Sequence, residues 1–130
     1  MYNIAVLVQN FSVEYADLVI QGIYKFFSER KDARVFFVQT STPHIKDGLY
    51  EYQYWASTEY LKSEVIDEII FVSNTYCIYK KQDELKELLE PFKGKKIVSI
   101  GMKFDDPDIH YTTANCDSVY DEIVGHLKKV

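Results

Sequence analysis

The sequence lacks long apolar runs, so it predicts no membrane-spanning helix. No run of apolar residues approaches the ~18 that cross a bilayer. Residues 1–3 lead directly into a short apolar strand, without the basic segment and long apolar core of a secretory signal. We therefore expect a cytoplasmic protein that has no membrane partner.

Basic residues and cysteines are also scarce. The 15 Lys and Arg residues are outnumbered by 20 Asp and Glu residues, which gives a net charge of −5. This balance argues against the broad basic face of a nucleic-acid binder. Cys77 and Cys116 have neither metal-site nor redox spacing, so we expect reduced structural thiols.

What is present is an ordinary globular composition on a chain long enough for one core. The chain has 130 residues, of which 47% are hydrophobic, and this size fits a single domain. Short apolar runs at residues 4–8, 35–38, 69–72 and 97–100 predict strands that are buried on both faces. A less apolar run at residues 111–114 predicts a fifth strand at an edge of the sheet.

Helix patterns separate these strands. Apolar residues at spacings of three and four predict helices at residues 16–27 and 83–92. Residues 49–64 also predict a helix, although their aromatic side chains surround much of it. Asp117 or Ser118 is expected to cap a last helix. The alternation predicts an α/β fold, a doubly wound parallel sheet of five strands in the order 2-1-3-4-5, with helices on both faces.

In such a sheet, functional groups collect beyond the carboxyl ends of the strands. The first loop, residues 9–15, contains no glycine that would let backbone N–H groups cradle a phosphate, so no nucleotide or flavin cofactor is expected. A phospho-accepting receiver domain needs acids after the first and third strands. The neutral residues Gln9, Asn10, Ser73 and Asn74 stand there instead.

Catalytic and metal signatures are also missing from the sequence. His44, His110 and His126 have no serine or cysteine nucleophile at a recognisable spacing. The acidic turn at residues 105–108 lacks the spacing of a calcium loop. We therefore expect no enzyme activity, no metal and no cofactor.

The strand ends carry amides, hydroxyls and aromatic rings, which bind small neutral polar ligands. The predicted ligand-binding residues are Gln9, Asn10, Phe11, Tyr15, Thr40, Ser73, Asn74, Thr75, Tyr76, Asn115 and Asp117. Asn and Ser also favour turns and Tyr also packs in cores, so a purely structural role stays open for each of these residues.

The ordered set of segments resembles the first lobe of the periplasmic-binding-protein-like sensor modules of lac-repressor-type regulators and ribose-binding proteins. The segments are "IAVLVQNFSVEYADLVIQGIYKFF", "IDEIIFVS", "IVSIG" and "TTANCDSVYDEIVGHLKKV". The segment "YEYQYWAS" departs from sugar repressors and looks more similar to family members attached to signalling outputs.

The resemblance implies two lobes that close on a ligand. Residues 1–117 would form the first lobe, and residues 118–130 a helix that starts the second. We therefore expect a piece of a longer transcriptional or signalling regulator that binds a sugar-like or nucleoside-like effector and forms a homodimer. Two alternatives stay open: an interaction module that dimerises through the Tyr-rich second helix, around Tyr54, and a small α/β enzyme.

Overall fold

A computed structural model describes residues 1–40, 51–56, 58–76, 80–114 and 117–130, without the side chains of residues 51, 54 and 55. The strands of this part are β1 (Tyr2–Val8), β2 (Ala33–Gln39), β3 (Glu68–Phe71), β4 (Lys96–Ile100) and β5 (Ile109–Thr112). They form one parallel sheet in the order β2-β1-β3-β4-β5. The predicted fold class and strand order are confirmed.

Four α-helices accompany the sheet in the described part of the chain. They are α1 (Glu14–Ser28), α2 (Glu51–Ala56), α3 (Gln82–Leu89) and α4 (Asp117–Lys129). Short 3-10 turns follow at Glu59–Lys62, Ser73–Thr75 and Glu90–Phe92. Because α4 begins at Asp117, Asp117 and Ser118 lie inside its first turn rather than at the predicted cap position.

The strand β1 lies inside the sheet, between β2 and β3, and its residues from Ile4 to Val8 are buried. Its alternate side chains supply two separate cores. Ala5 and Leu7 point into one core, and Val6 and Val8 into the other. This explains why β1 reads as a continuous apolar run rather than as an alternating one.

The two cores place α1 and α3 on opposite faces of the sheet, as predicted. Ala16 of α1 packs with Val6 and Val8. On the other face, Leu85 and Leu89 of α3 join the larger core. The helix α3 begins where the Glu84 carboxylate accepts a hydrogen bond from the Lys81 backbone N–H at 2.7 Å, which satisfies one of the free N–H groups at the helix start.

The fifth strand lies at the sheet edge as predicted, but two residues earlier than the sequence indicated. The strand is Ile109–Thr112, not residues 111–114. Ile109 is buried and pairs with Ile97 of β4, and this apolar contact sets the register. His110, which was expected before the strand, therefore lies within it.

The predicted helix at residues 49–64 is the second correction. In its described residues, α2 ends at Ala56 and a separate 3-10 turn spans Glu59–Lys62. Leu61 of this turn is fully buried, whereas Tyr52 and Tyr60 are exposed. Without a continuous apolar stripe, a long helix has no face to pack, and the chain bends to bury Leu61.

The core predicts a large difference between two leucines. Leu85 is fully buried, and Leu18 on α1 is 61% exposed. We expect Leu85→Ala to lower the free energy of unfolding by about 2–5 kcal/mol, because it removes contacts and leaves a cavity. Leu18→Ala, the matched control, should change it by less than about 0.5 kcal/mol. Urea denaturation followed by circular dichroism measures both; equal effects would contradict the described packing.

Candidate functional site

The candidate site lies where the parallel strands end, since all their carboxyl ends meet at one edge of the sheet. Polar residues follow β1, β2 and β3 there: Gln9 and Asn10, then Thr40, then residues 73–76. The structure divides these residues into two groups. One group is buried and bonded within the protein, and the other borders a groove.

Thr40 and Tyr76 belong to the buried group. The Thr40 backbone N–H donates to the Val8 carbonyl at 3.0 Å, and its hydroxyl donates to the same oxygen at 3.3 Å. The Thr40 and Tyr76 hydroxyls are also hydrogen-bonded to each other. The Tyr76 ring lies against Phe71, with 4.7 Å between the ring centroids. These hydroxyls join the ends of β1 and β2 to the turn after β3.

Ser73 joins β3 to β4 in the same manner. Its hydroxyl oxygen lies 2.7 Å from the Ser99 hydroxyl oxygen and accepts a hydrogen bond from the Met102 backbone N–H at 3.0 Å. Ser99 in turn donates to the Met102 carbonyl at 2.6 Å. Both serine side chains are fully buried. Their hydroxyls hold the loop after β4 against β3.

Thr75 and Gln9 tie the first loop to the third strand. The Thr75 hydroxyl donates to the Val72 carbonyl at 2.7 Å and accepts from the Gln9 backbone N–H at 3.3 Å. Ligand contact by the buried residues Gln9, Thr40, Ser73, Thr75 and Tyr76 stays a prediction. The structure shows these residues hydrogen-bonded within the protein at the carboxyl edge of the sheet.

The groove has a volume of about 350 Å³ and lies at the carboxyl ends of β3, β4 and β5. It is lined by Tyr15, Asn74, Ile100, Gly101, Thr112, Thr113 and Ala114. Tyr15, at the start of α1, is 45% exposed, and its hydroxyl accepts a hydrogen bond from the Asn74 amide at 2.5 Å. All the lining side chains are neutral. The groove therefore offers hydroxyls, an amide and one aromatic ring, without a charge.

Gly101 lets Asn74 approach the end of β4. The backbone φ of Gly101 is +106°, a conformation that favours glycine. A Cβ atom on Gly101 would lie 2.6 Å from both Cβ and Cγ of Asn74. The absent side chain thus makes room for Asn74, and Asn74 in turn meets Tyr15.

Asn10 and Asn74 each keep one buried polar atom without a hydrogen-bond partner in the described part of the chain. These atoms are Asn10 Nδ2 and Asn74 Oδ1. The other amide atom of Asn10, Oδ1, accepts from the Ser12 backbone N–H at 3.0 Å. An unpaired buried polar atom costs about 1–3 kcal/mol, so a polar group that reached either atom would recover that free energy.

The remaining predicted residues lie at the margins of the site. Phe11 is exposed, and its backbone N–H donates to the Gln39 side chain at 3.1 Å. Asp117 is exposed at the first residue of α4, and Asn115 lies outside the described residues. The structure therefore brings Tyr15 and Asn74 together in the groove and leaves Phe11 and Asp117 outside its lining.

The sequence reading missed the groove's wall on the side of β4 and β5. Gly101, Thr112 and Thr113 line it but were not among the predicted ligand-binding residues. Gly101 follows the predicted strand at residues 97–100, but a residue without a side chain gives no sign of ligand chemistry. Both threonines were expected within the strand; Thr112 is its last residue, whereas Thr113 lies beyond it because β5 ends two residues earlier than predicted.

Other kinds of site have little support in the described residues. No group of three or more His, Cys, Asp and Glu side chains in this part is placed to hold a metal ion. His110 and His126 are exposed on β5 and α4. His44, Cys77 and Cys116 lie outside the described residues. Among the helices of the described part, none has the length and apolar character to cross a membrane.

Comparisons of the chain with protein-family models, with curated proteins and with solved structures found no match. The resemblance to sensor lobes therefore stays a prediction, and the site has to be interpreted from its own geometry.

Two glycines test the contact between Gly101 and Asn74. Gly94 has a φ of +94° with open space around it, and Gly101 has a similar φ with Asn74 beside it. We expect Gly94→Ala to lower the free energy of unfolding by about 1–2 kcal/mol through backbone strain alone. Gly101→Ala should lower it by at least about 1 kcal/mol more, because its methyl group displaces Asn74. Equal losses in urea denaturation would exclude this role of the contact.

Proposed function

We propose that the chain is a non-catalytic ligand-sensing lobe of a cytoplasmic transcriptional or signalling regulator. Its effector is a small neutral polar molecule, sugar-like or nucleoside-like, that binds in the groove at the carboxyl ends of the strands. The observation that carries the proposal is the groove lined by neutral side chains alone, with hydroxyl and amide groups beside the ring of Tyr15.

The neutral lining supports a neutral effector. Moving a charged ligand out of water requires counter-charges or a dense set of hydrogen bonds, and the groove supplies no charged side chain. Hydroxyl groups of a sugar can instead exchange hydrogen bonds with Thr112, Thr113 and Asn74. The ring of Tyr15 offers an apolar face on which a sugar or base ring can stack.

The groove is one wall of a binding site under this proposal. In the sensor modules that the sequence resembles, a second lobe supplies the opposite wall, and closure of the two lobes transmits the binding event. The proposed mechanism is a ligand-dependent shift between open and closed arrangements, read by a separate output domain. A single wall supplies part of the contacts, so weak binding is expected for this chain by itself.

Nuclear magnetic resonance detects such weak binding. We expect one of a panel of neutral sugars, nucleosides and amino acids to shift the backbone amide signals of Tyr15, Asn74, Gly101 and Thr113. Tyr15→Ala should weaken this binding about tenfold, which corresponds to ~1.4 kcal/mol, because it removes the stacking face. Tyr24→Ala is the matched control, since Tyr24 is an exposed tyrosine of α1 that does not line the groove.

Two results would count against ligand sensing. One is an unchanged spectrum across the whole panel, for this chain and for any longer protein that carries it with a second lobe. The other is a set of shifts that spares the groove residues, or that Tyr15→Ala and Tyr24→Ala reduce equally.

A second candidate function is an interaction module without ligand. The observation that favours it is the exposure of Tyr52 on α2 and Tyr60 on the following 3-10 turn. Exposed tyrosines are enriched at protein interfaces, because each carries a large apolar surface and a polar end.

We expect, under this second candidate, that the double substitution of Tyr52→Asp and Tyr60→Asp abolishes dimers seen by light scattering. Both side chains are exposed in the single chain, so the fold itself should tolerate the change. Dimers that persist in the double variant would exclude this surface as the interface.

A further inference from the structure

The helix α4 carries an apolar stripe that no described residue of its own chain buries. Five apolar side chains recur along one side of the helix at alternating spacings of one and three: Val119, Tyr120, Ile123, Val124 and Leu127. Their exposure runs from 48% for Val124 to 66% for Leu127, and no described residue of α4 is buried. A stripe of this width is typical of a helix that packs against a core.

The composition of α4 indicates that it needs such packing. Isolated helices shorter than about 12–15 residues are marginal in water, and α4 has 13 residues. Ile123 and Val124 are β-branched and followed by Gly125, so the centre of the helix combines residues of low helix propensity. A helix of this composition depends for its stability on packing of its apolar stripe against another surface.

The described part of the same chain also contains a sheet face that is only partly covered. On the side of the sheet where α1 covers β1, the strands β3 and β4 present Ile70, Val98 and Ile100, which are only half-buried. Ile70 and Ile100 touch the core beneath α1 with one edge. His110 and Thr112, paired with Val98 and Ile100, are exposed. We call these five residues the open face.

The opposite side of the same strands shows the contrast. Ile69, Ile97 and Ile109 point into the larger core and are buried. Parallel sheets are found almost only where both faces are covered, so the open face is an exception within this fold. A helix laid across it would restore the two-sided burial that parallel strands require.

We propose that the open face of one chain is covered by α4 of a second copy, in a two-fold dimer that exchanges this helix. The described part of each chain supplies one exposed helix stripe and one incompletely covered face, so the two contacts are identical and the assembly closes on itself. This proposal does not rest on the proposed ligand.

The area of contact favours the reciprocal exchange. A helix of 13 residues is about 20 Å long and about 12 Å across, so its stripe covers at most about 240 Å². Counting the helix and the face in both contacts, the dimer buries just under ~1,000 Å², an area typical of weak interfaces, which fits a dimer that dissociates on dilution. One such contact between two copies would bury only about half of this area.

The exchange places a second chain beside the groove. Ile100 and Thr112 belong both to the open face and to the groove lining. A partner helix on the open face therefore lies along one side of the groove, and its polar edge borders that opening. Dimer formation and occupancy of the groove are thereby coupled through the same two residues.

Light scattering together with isotope-mixed nuclear magnetic resonance tests the exchange on the full chain. We expect a dimer that dissociates on dilution, and contacts between labelled and unlabelled copies that join Val124 methyl groups to Val98 methyl groups. A monomer at all concentrations overturns the proposal. So does a dimer whose intermolecular contacts join α4 to α4, or a Val124–Val98 contact found only within one chain.

Substitutions on the two sides of α4 provide the control. Tyr120→Asp puts a charge into the stripe and should raise the dimer dissociation constant about a hundredfold. Val124→Asp should act in the same direction. Ser118→Asp adds the same charge outside the stripe and should leave the dimer unchanged. All three residues are exposed in the single chain, so each variant should keep the folded sheet. Equal effects of Tyr120→Asp and Ser118→Asp overturn the proposal.

Discussion

Because the side chains from Ile4 to Val8 are buried on both faces of the sheet, the backbone groups of β1 must find their partners in β2 and β3. This requirement reaches the ends of the strands as well. The Val8 carbonyl accepts a hydrogen bond from the Thr40 backbone N–H, and the Leu7 carbonyl accepts one from the Val72 N–H, both at 3.0 Å. The hydroxyls of Thr40, Ser73 and Thr75 at the strand ends are likewise hydrogen-bonded within the protein.

The parts of the fold that could be predicted from the sequence are those that depend on local residue patterns. Four runs of apolar residues predict the strands, because two-sided burial leaves no polar position within them. The predicted limits of the edge strand were two residues too late, because the register depends on the pairing of Ile109 with Ile97. The spacing of residues along the chain does not show this pairing. The broken second helix has a similar cause, since the burial of Leu61 depends on where the rest of the core lies.

The candidate site was only partly predictable for a different physical reason. The order of the strands tells which residues gather at the carboxyl edge, but not which way each side chain turns there. Ser73 points inward because its hydroxyl pairs with that of Ser99 on the neighbouring strand. Asn74 points toward Tyr15 because Gly101, which has no side chain, leaves room for it. Such choices depend on pairs of residues far apart in sequence. The residue types at the strand ends therefore indicated neutral polar groups at this edge of the sheet, but not which of their side chains border the groove.

The position of β1 between β2 and β3 also affects the order in which the sheet can form during synthesis. Asn3 bonds Asp67, a partner 64 residues later, at the point where β1 and β3 enter the sheet. Closing so long a loop is slow, and non-local pairing delays folding. During synthesis, the apolar first strand leaves the ribosome long before Glu68–Phe71 exists. The nascent chain therefore passes through a period in which the hydrophobic strand β1 has at most one neighbouring strand. Hydrophobic surface exposed in this way is what chaperones bind.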